Sequence, residues 1–399
     1  MATRINSIHI HNYRALADVH LDLGPVGVLF GPNGSGKSTL LDSLWFVRDC
    51  AIRGVELASA QRSHGIGILF DGAPEDDQRV SIELQTDLVR YALEFDLASG
   101  RIDPLPGERL TTCDTNEVRI DRDVGSANAQ LFNSNLKQSG SYELRDPEKL
   151  TLSLYLGFNP ADDEAGSLDR LLHYVRLYHS RSFSLHRLKT QGSESSPEVR
   201  LWDRGDNAWS VLRNLHDRKS RDDRFGTIMQ FMREAFPSFD DIVIEQTGPN
   251  SVYASFFEKG RSRPILASGV SDGHLQLLLI LIALFSEGPD REALILLDEP
   301  EVSLHPWALV VLAKAIRTAG AEWNKQVLVA THSPVLISQF EPNEIIAAET
   351  DAGRIRLRRV SELEGIQDLL AEYAAGSLYM SETIGAQGPP GTHQGSVNE

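Results

Sequence analysis

VGVLFGPNGSGKSTLLDSLWFVRD, Val26–Asp49, runs from an unbroken apolar segment through a glycine-rich loop into a second apolar pattern. Val26–Phe30 reads as a strand covered on both faces, and Leu40, Leu41, Leu44 and Val47 share one face of a helix that begins at Lys37. Between them Gly31, Gly36, Lys37 and Ser38 complete the G-x-x-x-x-G-K-S spacing of a phosphate-binding loop. Backbone N–H groups from Gly31 through Asn33, Gly34, Ser35 and Gly36 to Thr39 are expected to wrap phosphate oxygens. Lys37 is expected to reach the β and γ phosphates, and the Ser38 hydroxyl to ligand magnesium. The start of the helix adds a field that favours an anion.

Two later segments have the same strand-then-polar form. In ALILLDEPEVSLHP, Ala293–Pro306, five apolar residues precede Asp298 and Glu299. Chemistry in open α/β sheets sits at the carboxyl ends of strands, so Asp298 is expected in a magnesium shell and Glu299 beside an attacking water. In QVLVATHSPVL, Gln326–Leu336, another buried strand ends at Thr331, His332 and Ser333, which puts His332 in reach of a γ-phosphate. A third stretch, ASGVSDGHLQLLLILIALF, Ala267–Phe285, reads as a core helix whose first turn is small and polar. Ser271 there is an ordinary helix cap or a phosphate contact.

Composition bounds the setting. A chain of 399 residues holds one large domain with an insertion, or two. A formal net charge of -17 argues against a protein that coats nucleic acid through lysine and arginine. Cys50 and Cys113 are the only cysteines, so no disulfide framework is expected and a reducing compartment fits. The start, MATRINSIHIHNY, lacks the apolar run of a signal peptide, and Leu275–Phe285 is too short to cross a bilayer. The expectation is a cytoplasmic protein without a membrane partner.

Taken in order, GPNGSGKST, SDGHL, LLDEPEVSLHP and ATHSP resemble the ABC-type ATPase heads of the RecF, SMC and OLD group. Within it the chain is most similar to compact bacterial AAA-family ATPases without a Toprim domain or long coiled coil. The resemblance implies an α/β P-loop NTPase of ABC type, with a mixed central sheet, an N-terminal antiparallel β part and an inserted helical lobe. It implies ATP and Mg2+ as ligands, catalytic roles for Lys37, Glu299 and His332, and metal roles for Ser38 and Asp298. Ser271 and Gly273 would bind the γ-phosphate on a second subunit, so that ATP joins two copies into a homodimer or higher oligomer. Arg14, in HNYRAL, matches an N-terminal motif and is expected near the nucleotide. The family's magnesium-lining glutamine has four candidates here, Gln61, Gln85, Gln130 and Gln138.

Division of the chain follows the motifs: 1–135 as the first part of the head with an antiparallel β subdomain, 136–262 as a helical lobe, 263–360 as the second part of the head, and 361–399 as an acidic helix and disordered tail. INSIHIHNYRALADVHLDL, VSIELQT and RYALEFDLASGRI read as antiparallel strands, and residues 114–141 as a polar mobile loop. SLDRLLHYVRLYHS reads as helical. Near the C-terminus, EIIAAETDAGRIRLRRV reads as a hairpin around Asp351, Ala352 and Gly353. Arg170, Arg176, Arg181, Arg187 and Lys189 lie among Tyr174, Tyr178 and Phe183 with no acidic residue, a pattern that suits a nucleic-acid strand or else a solvated face.

The leading expectation is an ATPase that senses or regulates in bacterial antiphage defence, with a separately encoded effector such as a nuclease. Alternatives are a RecF-like DNA repair factor and the nucleotide-binding subunit of a transporter.

Overall fold

Alternate residues of the Val26–Phe30 strand enter two different cores: Val26, Val28 and Phe30 one, Leu29 the other. The strand Ala293–Asp298 divides in the same way, Ile295 and Leu297 against Leu294 and Leu296, and so does Lys325–Thr331. Burial on both faces is what a parallel sheet between helical layers requires. The computed structural model describes residues 3–62, 65, 67–98, 100–134, 136–351, 354–363 and 374–380.

The central sheet has six strands in the order Val175–His179, Ala293–Asp298, Lys325–Thr331, Val26–Phe30, Ile345–Asp351 and Arg354–Arg359. The first five run parallel and the last is antiparallel to its neighbour. The helix Asp272–Phe285 lies in one core and is buried at every position from Leu275 to Phe285, as an apolar surface all round demands. With it pack the helices Ala208–His216, Arg224–Ala235 and Pro306–Glu322. On the other face lie the helices Lys37–Arg53 and Asp163–His173 and an eight-stranded antiparallel sheet that extends from Ser7 to Glu143. That sheet alternates as expected for one covered face; in Val80–Gln85 the residues Val80, Ile82 and Leu84 are buried. The architecture is the mixed α/β P-loop fold expected.

Three local readings change. Residues 114–141, expected to be a mobile loop, contain the strands Val118–Arg122 and Asn128–Asn133 and most of Gln138–Glu143. Their polarity belongs to the outer face; Ile120, Ala129 and Leu131 are buried beneath. The segment after the helix Asp163–His173 is not helical, because Val175–His179 pairs with the Asp298 strand and forms an edge of the central sheet. The region read as a helical lobe also holds the hairpin Phe239–Gly248 and Ser251–Glu258. The hairpin at Ile345–Arg359 forms, although its turn, Ala352 and Gly353, lies outside the described residues. Of the acidic helix and tail expected at 361–399, residues 361–363 and 374–380 are described, including a short helix Ala375–Met380 whose Tyr379 meets Phe30 edge-on; 364–373 and 381–399 lie outside.

Arg176 also departs from its expected nucleic-acid role. It is buried, and its guanidinium forms a two-pronged pair with Glu287, Nε and Nη2 each donating at 3.1 Å. Removing one partner strands a buried charge. Arg176→Met should therefore cost about 3 kcal/mol, the low end because Lys325 shares the field of Glu287. Arg176→Met with Glu287→Leu should recover most of that loss in urea unfolding.

Candidate functional site

Register places the carboxyl ends of four parallel strands in one row: His179 opposite Asp298, Asp298 opposite Ala330, and Thr331 opposite Phe30. The glycine-rich loop leaves Phe30 and turns into the helix at Gly36, whose left-handed backbone, φ 79°, is the geometry glycine adopts without strain. Lys37 is buried, and its ammonium donates to the Gly31 carbonyl at 2.9 Å, the Pro32 carbonyl at 2.8 Å and the Ser35 hydroxyl at 3.3 Å. Burial pulls its pKa down to about 8, against the opposing fields of Asp298, Glu299 and Glu301. Asn33 and Gly34 are exposed at the loop tip, and Thr39 is half-buried.

The Ser38 hydroxyl donates to Asp298 Oδ1 at 3.0 Å, across a sequence separation of 260 residues. Two oxygens at right angles on a cation with ligand distances of about 2.0–2.1 Å are about 3 Å apart, so this pair fits an edge of a magnesium octahedron. His179 Nδ1 bonds the other oxygen, Asp298 Oδ2, at 2.9 Å and fixes the carboxylate plane. That hydrogen bond raises the imidazole pKa. Ser38 and Asp298 are thus the residues that would hold the metal, with His179 behind them.

Glu299 stands one residue further along, its N–H donating to the Ala330 carbonyl at 2.8 Å with φ at 50°, a left-handed turn for a non-glycine residue. The turn ends the strand and leaves the half-buried carboxylate paired with Arg181. Glu301 is largely buried, which raises its pKa, and its Oε1 accepts the His332 N–H at 2.8 Å. His332 itself is held toward the neutral form, first by burial and then by Lys37.

At the start of the helix Asp272–Phe285, Ser271 Oγ accepts the His274 N–H at 3.4 Å and meets His274 Nδ1 at 2.6 Å. His274 stacks on Phe236 at 3.6 Å between ring centroids, and Phe236 meets His305 edge-on. Gly273 faces the Ser303 carbonyl so closely that a Cβ would stand 2.6 Å from it, which leaves room for no side chain. Ser271 and Asp272 are exposed.

Lys37, Ser38, Asp298, Glu299 and His332 therefore meet at one edge, as the motif order led us to expect. Arg14 pairs instead with Asp42 at 2.8 Å, on the helix that begins at Lys37, alongside Tyr13 and Arg62. None of the four candidate glutamines lies in the row of strand ends: Gln85, Gln130 and Gln138 are in the antiparallel sheet and Gln61 closes a short helix. The position beside Asp298 belongs to His179. The basic stretch is dispersed, with Arg176 on Glu287, Arg181 on Glu299, Arg187 facing Glu194 and Asp206, and Lys189 on Asp272 at 2.5 Å; Arg170 is exposed. His179, Arg181 and Glu301 were not marked as site residues by motif; the clue for the first two was their place at and just beyond the end of Val175–His179, where Val175, Leu177 and Tyr178 are apolar but Arg176 breaks the run.

Comparison with known proteins agrees with this geometry. The model of the family described as "AAA domain, putative AbiEii toxin, Type IV TA system" matches residues 27–338, more than three quarters of the chain. Among solved structures the chain is similar to an SMC head bound to the C-terminal winged-helix domain of ScpA, with a TM-score of 0.53 at 13% identity over 89% of this chain and 97% of that one. It is also similar to the Pyrococcus furiosus SMC head domain with an extended coiled coil bound to the C-terminal domain of ScpA, with a TM-score of 0.52 at 12% identity over 93% and 100%. At such identities the likeness establishes the fold. No curated protein sequence matches the chain. No helix among the described residues is long and apolar enough to cross a membrane.

Loss of a group that orients a metal ligand typically costs about 10- to 100-fold in metal affinity. His179→Ala should accordingly raise the magnesium concentration needed for half-maximal nucleotide binding by about tenfold or more, read from fluorescent nucleotide titrated with magnesium.

Proposed function

The chain belongs to the AAA-domain family whose model spans it, and from that premise we propose that it binds ATP with magnesium between its glycine-rich loop and the Asp298–Glu299 edge and hydrolyses it. The observation that carries the reading is the meeting of Lys37, Ser38, Asp298, Glu299 and His332, drawn from three segments, at the end of one sheet. Lys37 and the backbone N–H groups of residues 31–39 bind the phosphates, and Thr39 borders them. Magnesium, when bound to Ser38 and Asp298, neutralises phosphate oxygens. Glu299 takes a proton from a water that attacks the γ-phosphorus while the bond to the β,γ-bridging oxygen breaks, a role worth about 10²- to 10⁴-fold. Neutral His332 hydrogen-bonds the terminal phosphate and distinguishes ATP from ADP.

We infer further that two copies close face to face, with Ser271 and Gly273 of each on the γ-phosphate held by the other. Exposure of Ser271 at the start of a long buried helix supports this. Nucleotide then forms part of the interface, and dimerisation follows ATP concentration by mass action. The SMC heads that share the fold were solved with a domain of ScpA bound, which supports a second protein as the recipient of the motion. A regulatory place in bacterial antiphage defence, with the hydrolytic effector on a separate chain, completes the proposal; the family description names a putative toxin of a type IV TA system and speaks of neither phage nor effector. Direct nucleic-acid binding finds less support, because Arg176 is buried and paired with Glu287 and the other basic residues of that stretch are dispersed.

Glu299→Gln should bind ATP, slow its hydrolysis by about 10²-fold or more, and pass from one chain to two on addition of ATP and magnesium in solution mass measurements. Ser271→Arg in that background should bind nucleotide and stay a single chain; ATP-dependent dimers of the double variant would remove the two-subunit site. Lys37→Ala should lose nucleotide binding, and full ATPase activity in that variant would refute the loop assignment.

A further inference from the structure

Arg181 occupies a place that its ion pair alone does not account for. It sits on a single 3-10 turn, Ser180–Ser182, immediately after the strand Val175–His179. The turn is anchored from below, where the Ser180 carbonyl accepts Gln276 Nε2 at 2.9 Å in the buried interior. The side chain above is not anchored. It is 74% exposed and, among the described residues, pairs only with the Glu299 carboxylate. Glu299 adjoins Asp298, which takes the Ser38 hydroxyl at 3.0 Å, so the guanidinium stands at the rim of the phosphate cradle. His332 lies within the fields of both Lys37 and Arg181, so both cations act on the same edge of the site.

Charge balance gives the pair its meaning. Asp298, Glu299 and Glu301 all act on Lys37, so the lysine is already compensated before any phosphate arrives. A triphosphate adds negative charge at that same edge, more than one magnesium ion would offset, and leaves the site short of cations. A guanidinium is the side chain best matched to phosphate oxygens, since its fixed fork donates two parallel hydrogen bonds. The exposed Arg181 needs only to rotate away from Glu299 to supply them.

We propose that Arg181 is a phosphate-binding residue of its own chain's nucleotide site, exchanging Glu299 for the terminal phosphate of a bound nucleoside triphosphate. This rests on the ATPase reading given above. The exchange does two things at once. It adds the missing cation, and it releases the Glu299 carboxylate to hydrogen-bond a water. A diphosphate, which ends one phosphate earlier, leaves Arg181 on Glu299. The resting pair thus keeps the site closed to water activation until a third phosphate is present.

The test compares binding of ADP and of the β,γ-imido analogue of ATP to wild type, Arg181→Ala and Arg181→Lys, each with magnesium, by displacement of a fluorescent nucleotide. Arg181→Ala should weaken the triphosphate analogue about 10-fold or more, the effect of losing charge-assisted hydrogen bonds, and change ADP affinity less than about threefold. Arg181→Lys, with charge but no fork, should fall between. An equal loss for both nucleotides, or no loss, overturns the proposal, and so does faster hydrolysis with an unchanged preference, which would make the pair a clamp only. Melting temperatures near that of wild type show that the exposed substitution has not unfolded the chain; a large drop with the nucleotide preference intact overturns the proposal in favour of a structural pair. Wild type that binds neither nucleotide defeats the ATPase reading itself, a result separate from any of these.

Discussion

Burial of adjacent parallel strands on both faces is the constraint on which the rest of the structure depends. From Val26 to Phe30 and from Lys325 to Thr331 every residue is buried, and from Ala293 to Leu297 likewise. An uncompensated charge inside such a layer is prohibitively costly, so polar chemistry has one outlet, the ends of the strands. Neighbouring strands are about 4.8 Å apart, which brings the first polar residue of each within reach of the next. Asp298 and His179 are neighbours for this reason, and the loop that follows Val26–Phe30 lies one strand further on, beyond Lys325–Thr331, although 260 residues separate its Ser38 from Asp298. The hydrogen bond from Ser38 to Asp298 closes the row.

Electrostatic balance in the row is local. Asp298 takes Ser38 and His179, Glu299 takes Arg181, and Glu301 takes the His332 N–H. Each carboxylate has its own donor, which is how three of them persist beside one lysine in a half-buried place. A ligand entering here therefore displaces existing hydrogen bonds. Lys37 must turn from the carbonyls of Gly31 and Pro32. Selectivity follows, because only a ligand able to repay each displaced bond binds well.

Motifs whose function fixes their spacing were legible in the sequence. Gly31, Gly36, Lys37 and Ser38 lie within one loop, and Asp298, Glu299 and His332 each follow an apolar run, so strand ends could be found without a structure. The six-stranded sheet lost one member, Val175–His179, because Arg176 interrupts its apolar run; the long-range partner that makes this arginine compatible with burial, Glu287, cannot be read from local pattern. Residues 114–141 misled for the opposite reason. Their strands face water on one side, so only Ile120, Ala129 and Leu131 mark the covered face, too few to stand out from a polar loop. The basic stretch looked uniform on paper because one dimension hides direction: Arg176 and Arg181 lie on a strand and on the turn beyond it, and they meet different carboxylates.

The turn that carries Arg181 also bears on the helix start at Ser271. Its Ser180 carbonyl is bonded to Gln276, on the helix Asp272–Phe285, and Lys189, eight residues beyond Arg181, pairs with Asp272 in that helix's first turn. From the other side Ser303, in the loop that follows Glu299, presses its carbonyl against Gly273. The helix is buried at eleven consecutive positions, and close-packed interiors transmit displacement with little compression. Its exposed first turn is thus held between the segments that carry Arg181 and Glu299. Any coupling carried by these contacts between the carboxylate edge and Ser271 must act equally in both directions, because linkage between two sites is reciprocal.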